Sequence, residues 1–96
     1  NPAGSQTLQS ALLLSPELLT LYNNLAAGTH GAKITGFVGD STEGANGSFS
    51  DRAIHIKFVG GTAYNGFGQP MSTADLIFTL GHEGQHARDQ YLYGSA

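Results

Sequence analysis

The stretch STADLIFTLGHEGQHARDQYLY, residues 72–93, is the most legible part of the chain and decides its fold class. Ser72 followed three residues later by Asp75 makes a capping box with Asp in place of Glu, and an amphipathic run continues from it to about Tyr93. At about 100° per residue, Ile77, Leu80, Gly84, Ala87 and Tyr91 gather on one side of the predicted helix. Asp75, Thr79, His82, His86, Asp89 and Tyr93 gather on the other. The first face is expected to meet the core and the second to face solvent. Gly81 and Gly84 each cost about 1 kcal/mol of helix propensity relative to Ala, so a strand or helix approaching them closely is expected to offset that cost.

Upstream, Ser15, Pro16 and Glu17 form a helix start: Ser caps, Pro is preorganised for the first helical position, and Glu complements the helix dipole. The spacing of Leu18, Leu21, Tyr22, Leu25 and Ala26 predicts a helix over Pro16–Ala27, with Gly28 as its stop. A shorter helix over Leu8–Leu14 leads into it. Ile34, Phe37 and Val38 suggest a strand within Ala32–Val38, interrupted by Gly36. Ile54, Ile56 and Phe58 alternate with His55, Lys57 and Val59, which predicts a half-exposed strand over Arg52–Val59 with the first three residues inward. Gly39–Asp51 and Gly60–Met71 are rich in turn residues and are expected to be surface loops. The elements add up to one α+β domain over residues 1–96.

Composition narrows the function classes. The charged fraction is 11% and Gly numbers 14 of 96 residues, so Ser, Thr, Asn and Gly must supply much of the polar surface. Lys33, Arg52, Lys57 and Arg88 are the only fixed positive charges against a net charge of -3, which leaves no basic stripe for a nucleic-acid backbone. No cysteine is present, so a metal site must draw on His, Asp, Glu, Tyr or water. The longest apolar run, Ala11–Leu14, is too short to span a bilayer, and no positively charged leader opens the chain. A trimmed, soluble domain is the expectation.

His82, Glu83 and His86 spell HExxH. Histidines at i and i+4 lie one above the other on a helix, so both imidazoles can reach one Zn²⁺ at about 2 Å. Glu83, next in the chain after the first histidine, is placed to accept the proton of a water attacking a carbonyl. Shuffling four His and three Glu through a chain of 96 residues yields this pattern roughly once in 200 chains. Its place on a capped amphipathic helix, opposite an apolar face and after an alternating strand, weighs further against coincidence.

On these residues the chain resembles the zincin metallopeptidases, which share a backing helix, a small mixed sheet and an HExxH helix packed beneath it. The resemblance implies a zincin-like α+β fold in which Pro16–Ala27 is the N-terminal backing helix, Arg52–Val59 a sheet strand near the cleft, and Leu76–Tyr93 the C-terminal active-site helix. It covers most of the chain as architecture but only Gly81–Asp89 as motif. What it implies is a zinc-dependent endopeptidase in which His82 and His86 bind the metal and Glu83 is the general base. The alternative is a non-catalytic binding module on the same scaffold, or one half of a two-chain assembly.

The third protein ligand departs from the familiar patterns. Ala87, Arg88 and Asp89 follow His86 where a metzincin would continue toward a third histidine, and Tyr93–Ala96 holds no acid of the gluzincin kind. Asp89 is the nearest candidate, yet it lies about 7 Å along the axis from an ion between the two histidines. Orienting an imidazole through its other nitrogen is the favoured role, ahead of ligation, and thermolysin-like enzymes carry a comparable acid. Tyr93, His55 and His30 read as ordinary aromatic and surface residues. The unassigned ligand suggests a fragment of a longer chain, or a second chain completing the site. Compact HExxH domains with such loops resemble bacterial toxin and effector metallopeptidases, which implies secretion or delivery into a target cell, a protein or peptide substrate, and a cognate inhibitor or immunity protein as partner.

Overall fold

The computed structural model describes residues 2–28, 37–38, 45–50 and 53–93. Within them the chain is α+β, with two N-terminal helices, short strands forming two small sheets, and a long C-terminal helix. Helix α1 spans Pro2–Leu13 and so begins well before the predicted Leu8. Pro2 suits the first helical turn, and Gly4, Leu8 and Ala11 at helical spacing supply its buried stripe. The polar residues between Gly4 and Leu8 hid that stripe from the apolar pattern.

Helix α2, Pro16–Ala27, has the predicted bounds, and its caps show why. Ser15 is extended and its Oγ accepts from Leu18 N at 3.4 Å. Gly28 adopts the left-handed conformation, φ 74°, from which its N–H reaches back to the Leu25 carbonyl at 3.1 Å.

The predicted strand Arg52–Val59 is split. Strand β3, Ala53–His55, belongs to a three-stranded sheet of order β1-β3-β2, in which β1 (Phe37–Val38) runs parallel to β3 and β2 (Ser48–Ser50) antiparallel. Strand β4, Lys57–Val59, pairs instead with β5, Thr62–Tyr64, as a hairpin turning at Gly60, φ 58°. Ile56 joins the two sheets and is fully buried. The period-two alternation survives this switch, since Ile54 and Ile56 point inward and Lys57 outward, with Phe58 packed against the core. Strands β2 and β5 lie inside the two stretches expected to be loops, which corrects both. Of the expected strand Ala32–Val38 only 37–38 fall among the described residues.

Helix α3, Thr73–Tyr93, starts as predicted: Ser72 Oγ accepts from Asp75 N at 3.1 Å. It packs against α1, α2, β2 and β3. The core joins Leu8 and Ala11 of α1, Leu18 and Tyr22 of α2, Ile54, Ile56 and Ala63 from the strand region, and Leu76 and Leu80 of α3. The Thr7 hydroxyl of α1 donates to the Gly61 carbonyl at 2.6 Å and pins the hairpin turn to the helix. No helix among the described residues is long and apolar enough to cross a membrane.

The inward face of α3 departs from expectation. Leu76, Thr79, Leu80, Glu83, Gly84 and Ala87 are buried, so the inward direction is turned by about 50° from the centre of the predicted apolar side. Thr79, expected on the solvated side, is inside. The reason lies at Gly84, where an added Cβ would stand 2.9 Å from Leu21 Cδ2, 3.1 Å from Tyr22 Cε2 and 3.2 Å from Tyr22 Oη. A side chain there would crowd Leu21 and the Tyr22 ring, and its absence lets α2 lie this close. At Gly81 the nearest atom, Leu18 Cδ2, would be 3.6 Å away, an ordinary contact.

The two glycines should therefore respond oppositely to the same substitution. Gly81→Ala gains helix propensity without a clash and should stabilise by up to about 1 kcal/mol, whereas Gly84→Ala should destabilise by about 1–3 kcal/mol through overpacking. Thermal unfolding of the two variants reads the difference, and equal shifts would refute the assigned contacts.

Candidate metal centre

The turned face of α3 divides the HExxH residues between two environments. His82 and His86 are exposed, while Glu83 is only 4% exposed, in the middle of the buried arc. The histidine Nε2 atoms lie 3.1 Å apart, with the rings nearly perpendicular at 84°. Two bonds of about 2.05 Å to a tetrahedral ion would separate their nitrogens by about 3.3 Å. The pair fits that spacing, which equally suits an N–H···N hydrogen bond between one ring as donor and the other as acceptor.

Glu83 Oε1 is 4.0 Å from His82 Nε2. The carboxylate thus stands slightly farther from the histidine than a fellow ligand would, at a distance that suits a water between them. Its other oxygen, Oε2, is buried and has no hydrogen-bond partner among the described residues. Buried polar atoms are rarely left this way, and an unsatisfied one in a native fold calls for a role such as proton transfer or contact with an ion or water. His82, Glu83 and His86 bring their ligand atoms within 4.8 Å of one another and form a group able to hold a metal ion.

Two glycines hold Glu83 in place. Gly84 admits Tyr22 from behind, and the Tyr22 hydroxyl donates to the Leu80 carbonyl at 2.6 Å, one turn before Gly84. Gly47, just ahead of β2, passes so close to α3 that a Cβ there would meet Thr79 Cγ2 at 2.7 Å, Glu83 Cγ at 3.3 Å and the His55 carbonyl oxygen at 3.3 Å. Thr79 is oriented by its own hydroxyl, which donates to the Asp75 carbonyl at 2.9 Å. Ala45, Asn46 and Gly47 face Phe78, His82 and Glu83 across a cavity of about 240 Å³.

The other sequence candidates stand apart from this group. Asp89 is exposed, its carboxylate 3.8 Å from Arg88 Nε, and it is not one of the clustered metal-capable residues. His55 is half-buried with Nε2 3.2 Å from Ser50 Oγ. The side chain of Tyr93 and the whole of His30 lie outside the described residues. Gly47, Thr79 and Phe78 line the site without having been singled out from the sequence. Ser48-Phe49-Ser50 alternates with period two, but three residues are too short a run to mark β2, and hence Gly47, from the sequence.

Comparisons with protein-family models, with curated proteins and with solved structures gave no match. The site must therefore be read from its own geometry.

Tyr22 offers a test of the contact behind Glu83. Burial raises its phenol well above the ordinary value near 10, and the charge of Glu83 adds to the shift. The folded state keeps the proton after the unfolded chain has begun to lose it, so this contribution is complete below about pH 10 and declines at higher pH. The wild type should lose up to about 1.4 kcal/mol per pH unit more than Tyr22→Phe above that point, measured by urea unfolding. Parallel profiles would contradict the buried environment assigned to Tyr22.

Proposed function

We propose that this chain is a zinc-dependent endopeptidase of the zincin type, with His82 and His86 as metal ligands through Nε2 and Glu83 as general base. The observation that carries the reading is the buried Oε2 of Glu83, without a partner among the described residues, beside a histidine pair at metal-ligand spacing. A structural histidine pair has no need of such a carboxylate. When bound, zinc supplies Lewis-acid chemistry, polarising a carbonyl and making water nucleophilic near neutral pH.

The chain's own groups account for the remaining work. Glu83 accepts the proton of the water that attacks the scissile carbonyl and delivers it to the departing amine, so that neither charged product has to form unaided. Its packing against Gly47 and Thr79 limits the positions its carboxylate can take, which favours reaction by preorganisation. Among the described residues strand β2 is an edge of the three-stranded sheet, and it leads directly out of the cleft wall at Gly47. A substrate chain lying extended along that edge would use main-chain hydrogen bonds for affinity and leave its side chains free to meet the cleft.

Glu83→Gln keeps the shape of the side chain and removes its basicity. Zinc-loaded wild type should cleave an unfolded protein substrate, and Glu83→Gln should lower the rate by about 10²-fold or more with zinc content and circular dichroism unchanged. Stoichiometric zinc in a wild type that cleaves nothing would favour a binding module instead.

A further inference from the structure

We propose that Phe78 is the specificity-determining residue of the cleft, selecting substrates with a large uncharged apolar side chain next to the scissile bond. The proposal rests on the reading of the cleft as a peptide site. Phe78 is 75% exposed, one helical turn before His82 and on the same face of α3. It lines the same cavity as His82 and Glu83, whereas the other large exposed apolar residues among those described, Leu13, Leu14, Val59 and Phe67, do not. Burying Phe78 would remove more apolar surface from water than burying any of the aliphatic three, and a side chain laid against it would do so.

The cavity is the right size for that occupant. Its volume is about 240 Å³. That is below the roughly 300–1,000 Å³ usual for whole small-molecule ligands, and it matches one large side chain with the backbone beside it. The wall opposite Phe78 is tied to the turn after β5, where Asn46 Oδ1 accepts from Gly66 N at 3.1 Å, and the missing Gly47 side chain lets the wall close directly onto Thr79. Among the described residues no Lys or Arg lines the cavity, and Glu83 is the one carboxylate there. An acidic substrate side chain would meet that carboxylate with no cation to compensate, while an apolar one would cover Phe78.

The test uses peptide binding to Glu83→Gln protein supplied with zinc, so that turnover does not intervene. Three Gly/Ser-based octapeptides differing only in a central Phe, Gly or Asp are titrated and followed by amide chemical shifts. The Phe peptide should bind about tenfold or more tightly than the other two and shift residues 45–47 and 78–82. Phe78→Ala in the same background should remove that advantage, so that the Phe peptide binds no more tightly than the Gly peptide, and Leu13→Ala should leave the advantage intact. Equal binding of the three peptides, no measurable binding by any of them, or a preference indifferent to Phe78→Ala would each overturn the proposal. A preference for Phe in a protein whose wild type hydrolyses nothing would uphold Phe78 as selector and refute the peptidase reading instead.

Discussion

The close approach of α2 to α3 at Gly84 sets the rotation of α3 about its axis, and the placement of every group in the candidate site follows from that rotation. With no side chain at Gly84, the ring of Tyr22 lies against the helix backbone and its hydroxyl reaches the Leu80 carbonyl. The helix then presents Leu76, Leu80 and Ala87 to the core, and with them Thr79 and Glu83. His82 and His86 are left at the surface on the adjoining face. A Cβ at Gly84 would drive the two helices apart or turn α3 away from Tyr22. Either response would move Glu83 relative to the wall at Gly47.

The arrangement works against the ordinary economy of a small core. A buried carboxylate oxygen with no partner among the described residues weakens a domain of this size, and an apolar residue at position 83 would complete the stripe formed by its neighbours. Among the described residues, Glu83 Oε2 and Arg88 Nε are the buried side-chain atoms without a hydrogen-bond partner, and the first of them falls where a proton carrier would stand. Functional sites are the expected locations for such conflicts between local chemistry and global packing. Gly47 belongs to the same pattern, because its backbone is held against Thr79 and Glu83 with no side chain to soften the contact.

Much of this fold could be read from local chemistry. Ser15, Pro16 and Gly28 bounded α2 because capping is decided within a few residues, and Ser72 marked the start of α3 for the same reason. The strands were less legible. At three residues or fewer each, β2 and β5 carry too little pattern to stand out from Gly, Ser and Asn around them, and the division at Ile56 follows from pairing partners far along the chain. The HExxH spacing was visible at once, but the burial of Glu83 was not. Helical periodicity ranks faces by hydrophobicity, and no such ranking would place a glutamate inside; the rotation that puts it there depends on Tyr22, about sixty residues earlier. Phe78 carries no signal in the sequence for a related reason, since an exposed phenylalanine gains meaning only from the cavity beside it.

The group formed by His82, Glu83 and His86 takes its meaning from the ion it would hold and from the place left for water. Anomalous scattering recorded on either side of the zinc edge, from crystals grown with zinc, locates such an ion directly. The account predicts one peak within about 2.1 Å of Nε2 of both histidines, with Glu83 outside the bonded set and at least one coordination position not taken by protein. No peak between the histidines, or a peak enclosed by four protein ligands, would contradict it.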